Sequence, residues 1–194
     1  MREVQASPQP LNLNLRGRRL GVDVGQVRVG VALTDPDAIM ATPLTTLERD
    51  LKKNFDVKIA AKLVAEHDVV EVVVGLPLAM SGEHTDSTRA AVNWAQRLSD
   101  RLERNGHTAT VHMVDERWTS VQSHRLLLEA GISRREHKTK VDQQAAVTIL
   151  EAALATARRA VEDRDPSVTG RSDQNIDMTM DESASSANPE GDLT

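Results

Sequence analysis

The chain has 194 residues, no cysteine and a formal net charge of -5. The lack of cysteine excludes disulfides, thiolate metal sites and a cysteine nucleophile, and Phe55, Trp94 and Trp118 are too few aromatic rings for a stacking platform under single-stranded bases. No apolar run reaches the length of a membrane span, and the start, Met1-Arg2-Glu3-Val4-Gln5, carries no signal pattern, so the expectation is a soluble cytoplasmic protein without a membrane partner.

The charge is unevenly spread. Residues 161–194 hold nine acids against Arg164 and Arg171, which leaves residues 1–160 at +2. A mildly basic body can take a polyanionic partner without requiring one.

Residues 1–17 are polar with two prolines and read as a loose extension. From Arg19 to Ala32 the pattern is two short strands joined by a tight turn at Gly25-Gln26. Leu20, Val22 and Val24 share one face of the first strand, and Gly21, Asp23 and Gly25 the other. A carboxylate thus stands between positions that have no side chain. Glycine within a strand marks a place where something comes close to the backbone, and a hard cation carrying a phosphate suits the space beside such a carboxylate. The bland alternative is an Asp23 that only satisfies local backbone donors. The second strand, Val27 to Leu33, ends at the turn Asp35-Pro36-Asp37, and Ile39 to Leu47 gives a third strand of an antiparallel meander.

The period then changes. Phe55, Ile59, Leu63 and Val57, Ala61, Val64 recur at helical spacing between Leu51 and His67. Val69 to Val74 is a β-branched run typical of a strand covered on both faces, and it stops at Gly75-Leu76-Pro77. A helix over Thr85–Asn105 carries the stripe Ala91, Trp94, Leu98, Leu102 and ends before Gly106. Thr108 to Val114 is a fifth strand, and Thr119 with Gln122 opens a helix through Glu129 that Gly131 halts. Ile132 to Lys140 is basic and without periodicity, so it reads as a loop. Asp142 to Arg159 is the last helix, with Ala146, Ile149, Leu150, Ala153, Leu154 and Ala157 as its buried stripe. Beyond Val161 there are too few apolar residues to offset the entropy of ordering, and disorder is expected over 161–194.

Three antiparallel strands followed by alternating helices and strands predict an α/β fold of the RNase H-like kind: a mixed five-stranded sheet with helices on both faces, in one domain over residues 18–160.

That topology draws attention to Asp23, to Asp115-Glu116-Arg117 at the end of the fifth strand, and to Asp142 in the first turn of the last helix. Val111, Met113 and Asp115 share one face of the strand, while His112, Val114 and Glu116 share the other. Only one of the two adjacent acids can join a given cluster; Glu116 is preferred, although strand ends twist and bulge. Converging carboxylates repel when ionised, and a divalent cation removes the conflict. Oxygen ligands of this kind suit Mg²⁺ or Mn²⁺, and two ions roughly 3.5–4 Å apart can activate a water and stabilise the leaving oxygen of a phosphodiester. Taken singly, each acid also has a structural reading; Asp142 would be favourable at a helix N-terminus through the dipole alone. Arg28, Arg117, Lys138 and Lys140 are the cations placed to hold a sugar-phosphate backbone, with Arg134 and Arg135 equally well read as solvated loop charges. The six histidines show no ligand spacing.

Four motifs, in this order, resemble a known family: Leu20-Gly21-Val22-Asp23-Val24-Gly25 through Arg28-Val29-Gly30-Val31-Ala32; Val73-Val74-Gly75-Leu76-Pro77-Leu78 with Gly82; Asp115-Glu116-Arg117 with Thr119; and Lys140-Val141-Asp142 followed by Ala145-Ala146 and Ile149-Leu150. They are similar to the bacterial Holliday-junction-resolvase-like proteins, also described as pre-16S rRNA nucleases of the YqgF type, over about residues 18–160. The resemblance implies an RNase H-like fold, divalent-metal nuclease activity on structured RNA, and a cytoplasmic role in maturing the 5′ end of 16S rRNA during ribosome biogenesis. It also matches Asp23, Glu116 and Asp142 to the family's acidic positions. Trp118 and Ser120 depart from the usual residues, and no acid closes the fourth strand as it does in true junction resolvases. Branched DNA is therefore the alternative substrate, and a non-catalytic nucleic-acid binder the alternative class. A sugar-kinase or actin-like ATPase would need a second Asp-x-Gly hairpin, which the chain lacks. Monomer and homodimer are both left open.

Overall fold

A computed structural model describes residues 11–79, 81–115 and 134–163, with side chains in the last stretch from residue 141 onward. Five strands make one sheet: β1 (Arg18–Val24), β2 (Arg28–Thr34), β3 (Ala41–Glu48), β4 (Val69–Leu76) and β5 (Thr110–Asp115), in the order β3-β2-β1-β4-β5. β1 pairs antiparallel with β2 and β2 with β3, whereas β4 lies parallel to both β1 and β5. This is the RNase H-like arrangement predicted from the order of elements. β1 is central, and the carboxyl ends of β1, β4 and β5 point to the same end of the sheet.

Period-two alternation decides what each face meets. Leu20, Val22, Val24, Val72, Val74, Val111 and Met113 form one core with α1 (Phe55–Glu66) and α2 (Asp86–Arg104). Ala32, Val73 and, at its margin, Val114 form a second with α3 (Arg134–Glu162). α2 begins as its sequence predicts. The Thr85 side chain accepts from the Thr88 N–H, and the Thr88 hydroxyl accepts from the Thr85 N–H, so a threonine does the work more often done by Glu or Gln. Gly106, with φ of 75°, stands just past its end.

Two elements differ from expectation. α1 shows two interleaved apolar stripes in sequence; Val57, Ala60, Ala61 and Val64 are buried and Leu63 packs partly buried against the same core, whereas Phe55 and Ile59 stay exposed. Facing small residues inward lets the helix sit close to its neighbours. α3 starts at Arg134, so residues 134–140 are helix and not loop. Arg, Glu and Lys are good helix formers, so the segment can be helical without an apolar stripe. Asp142 therefore lies more than two turns into the helix, and the favourable dipole of a first turn does not account for it. The helix expected over Thr119–Glu129 lies outside the described residues, as does the acidic segment from residue 164.

Residues 11–17, expected to be loose, are tied to the domain. Leu11 is buried and Leu13 packs beside it in the α3 core. Arg19 is buried on the α3 face of β1; its Nε donates to Glu71 Oε2 at 3.0 Å, Nη1 to the Gly17 carbonyl at 2.7 Å, and Nη2 to the carbonyls of Asn12 and Leu15, each at 2.6 Å. Asn12 N–H returns to Glu71 Oε1 at 3.0 Å. Burial pushes the Glu71 carboxyl up, but His112, the Asn12 N–H and Arg19 outweigh it and hold it below its ordinary value. A buried guanidinium has to be surrounded by acceptors, and here a polar stretch of chain supplies them.

Candidate active site

Asp23 lies on β1 directly across from Gly30 on β2, with both on the face covered by α3. A methyl group added at Gly30 would collide with the Asp142 carbonyl. One at Gly21 would lie 2.7 Å from the Ala146 carbonyl oxygen and 2.8 Å from Leu150 Cβ. What approaches the backbone at these two glycines is thus α3 itself, not a ligand. The glycines let the helix descend onto the sheet, and the descent brings Asp142 beside Asp23.

The electrostatics follow from that seat. Burial, and then the charge of Asp142, push the Asp23 carboxyl up to about 6. Asp142 Oδ2 is 2.9 Å from Arg28 Nε, but the approach is too poorly aligned for a hydrogen bond, and this buried oxygen has no hydrogen-bond partner among the described residues. Two neighbouring carboxylates, one with its pKa raised to about 6 and one with a buried oxygen lacking a hydrogen-bond partner among the described residues, form a hard, all-oxygen donor set. Such a set fits a divalent cation of the Mg²⁺ or Mn²⁺ kind.

The other predicted residues are placed as follows. Glu116 and Arg117 lie outside the described residues, and among those described no group of three acids or histidines converges. On β5, Val111 and Met113 belong to the α1–α2 core and Val114 packs on the α3 side, with Asp115 paired to Leu76 at the strand's end. Lys138 and Lys140 belong to the first turns of α3, upstream of Asp142. Arg28 is engaged with Asp142. Sequence reasoning missed this contact and the role of Gly30; the available signal was a second glycine on the strand facing Asp23.

A family model described as "RuvX: Holliday junction resolvase" matches residues 17–156. The chain belongs to the RuvX family. Among its relatives, proteins named "Putative pre-16S rRNA nuclease" are 46% identical over 144 residues in Mycobacteroides abscessus, covering 74% of this chain and 84% of that one. In Corynebacterium jeikeium the figures are 41% over 154 residues, 79% and 96%. In Frankia casuarinae they are 44% over 140 residues, 72% and 67%. Among solved structures, Thermus thermophilus RuvC bound to a Holliday junction substrate matches with a TM-score of 0.44 at 12% identity, covering 72% of this chain and 95% of that one. Membership of the RuvX family makes the chain a nuclease, and nucleic acid its partner. No helix among the described residues is long and apolar enough to cross a membrane.

Proposed function

We propose that this RuvX-family chain is a divalent-metal-dependent nuclease that hydrolyses phosphodiester bonds of structured RNA, trimming the 5′ end of precursor 16S rRNA in ribosome biogenesis. The observation that carries the metal dependence is Asp23 seated beside Asp142 across Gly30, with its carboxyl raised to about 6 by burial and by that neighbour. The RNA assignment rests on the names of the relatives.

In this reading Asp23, Glu116 and Asp142 hold Mg²⁺ or Mn²⁺. The packing of Val114 on the α3 side of β5 supports Glu116 over Asp115 as the third acid, because alternate residues share a face. Bound there, a divalent ion supplies Lewis acidity to the phosphodiester and lowers the pKa of an attacking water. Asp23 and Asp142 orient the site from two rigid elements. Arg28, Arg117, Lys138 and Lys140 take the flanking phosphates, the arginines by two-pronged hydrogen bonding and the lysines as point charges.

The test is to incubate the purified protein with precursor 16S rRNA and with a four-way DNA junction, each with Mg²⁺, with Mn²⁺ and with chelator. Cleavage of the RNA that requires a divalent ion is expected. Cleavage of the junction alone would favour the second reading, a DNA resolvase, which the family's description supports. RNA binding without any cleavage would leave a non-catalytic binder.

A further inference from the structure

α1 carries an apolar stripe that the fold does not use. Phe55 is 55% exposed and Ile59 37%, four residues apart and therefore on one side of the helix, and Leu51 in the turn leading into it is 68% exposed. Lys52, Lys53 and Lys58 are exposed around them, and Lys58 Nζ sits 5.3 Å from the centre of the Phe55 ring. None of the three lysines forms a salt bridge among the described residues. The neighbouring acid Asp50 spends Oδ1 on the N–H groups of Lys52 and Lys53, and it offsets only part of their charge.

The stripe's position is as telling as its composition. β3 runs towards the end of the sheet where β1 ends, since Arg28 pairs with Glu48. One residue on, the Arg49 N–H donates to the Val27 carbonyl at 2.9 Å, which ties the entry to α1 to the turn that follows Asp23 and precedes Arg28. A strand bound at Asp23 and Asp142 and led around this rim meets Lys52 and Lys53 at the entry to α1, then Lys58 beside the Phe55 ring, on the face of the sheet opposite α3. A duplex presents phosphates but hides its base faces, whereas a single strand presents both.

We propose that the exposed Phe55–Ile59 face of α1, with the turn leading into it, is a docking surface for a single-stranded stretch of nucleic acid, with Lys52, Lys53 and Lys58 on successive phosphates and Phe55 against a base. One ring makes a single contact and not the multi-ring platform that the composition excludes. The proposal deepens the nuclease reading of the neighbouring acids and rests on it for the identity of the polymer, but its test does not need cleavage.

Affinity of the full chain for a labelled single-stranded RNA, read by fluorescence anisotropy in chelator over a range of NaCl, is the measurement. Reversing the three lysines (K52E/K53E/K58E) is expected to raise Kd about tenfold or more and to reduce the slope of log affinity against log salt by about 2, three contacts at roughly 0.7 each. Phe55→Ala is expected to raise Kd by at least about fivefold at unchanged slope. A control that reverses three cations at the opposite end of the fold (R101E/R104E/R159E) separates local contact from overall charge. Hydrolysis of bis(p-nitrophenyl) phosphate, too small to span the rim, should stay within about twofold in the α1 variants. The proposal is overturned if RNA affinity and salt slope match the unaltered chain or the control. It is overturned equally if the unaltered chain does not bind the RNA, if the variants melt earlier, or if the small ester is also turned over poorly. Failure of the unaltered chain to hydrolyse any phosphodiester, with the binding losses intact, would remove the nuclease reading and leave this surface standing.

Discussion

Arg28 Nε stands 2.9 Å from Asp142 Oδ2, so a cation of the hairpin already rests on a carboxylate proposed to hold metal. Both side chains are between a quarter and a third exposed (29% and 26%), and a pair of this kind is worth about 1 kcal/mol or less. Its consequence is competition. Arg28→Gln should lower the Mn²⁺ concentration that half-saturates the protein by a fewfold, read as the midpoint of the Tm rise on metal titration, while weakening RNA binding. An unchanged or higher midpoint would mean that Arg28 does not compete for this oxygen.

Asp23→Asn should abolish divalent-dependent cleavage. Outer-shell partners of a metal typically cost about 10- to 100-fold when lost, so losing a direct ligand should cost more than about a hundredfold. The same change should leave the metal-free Tm at pH 8 equal or higher, because a buried charge beside Asp142 has been removed. Retained cleavage in this variant would dismiss Asp23 from the site.

The raised Asp23 carboxyl sets a pH dependence with a definite sign. Its value in the fold, about 6, exceeds the ordinary 3.8, so the native state binds the proton more tightly than the unfolded chain. The stability it contributes is complete below about pH 4 and is lost as pH rises through about 6. Wild-type and Asp23→Asn unfolding curves in chelator should therefore diverge across that window, with the variant gaining relative to wild type as pH rises. Parallel curves would show that Asp23 titrates normally.

Gly30→Ala puts a methyl group where the Asp142 carbonyl lies. The obstacle is backbone, so α3 has to move, and overpacking of this kind costs about 1–3 kcal/mol or more. Urea unfolding should show the loss, and cleavage should fall with it because Asp142 moves off Asp23. Near-native stability and activity would mean that α3 does not sit on Gly30.

Glu71→Ala leaves the Arg19 guanidinium buried at 1% exposure without its carboxylate. Breaking a buried pair on one side costs about 3–5 kcal/mol. Because Asn12 also binds Glu71, protease sensitivity should rise at residues 11–17 before the rest of the domain opens. Uniform sensitivity would argue against a separate strap.

Much of the frame was legible in the residues. Alternation in Leu20, Val22, Val24 and the β-branched run of β4 named buried strands, because a strand's two faces are written in its own even and odd positions. Thr85 and Gly106 marked the ends of α2 because caps are local chemistry. Polar residues 134–140 gave no stripe from which to read their helix, and residues 11–17 looked loose because their anchor, Arg19 with Glu71, is distant in sequence and buried only after folding.

What the sequence determined by itself is therefore the order and type of most elements and a short roster of acids, since each depends on neighbours within a turn or a strand. What only tertiary structure decided is which surfaces meet. It chose Val57 over Phe55 for the core, filled the space above Gly21 and Gly30 with α3, and set Asp142 beside Asp23 and Arg28. The choice of Val57 depends on strands and a helix tens of positions away and the seat of α3 on residues more than a hundred positions apart, and local periodicity carries no record of either distance.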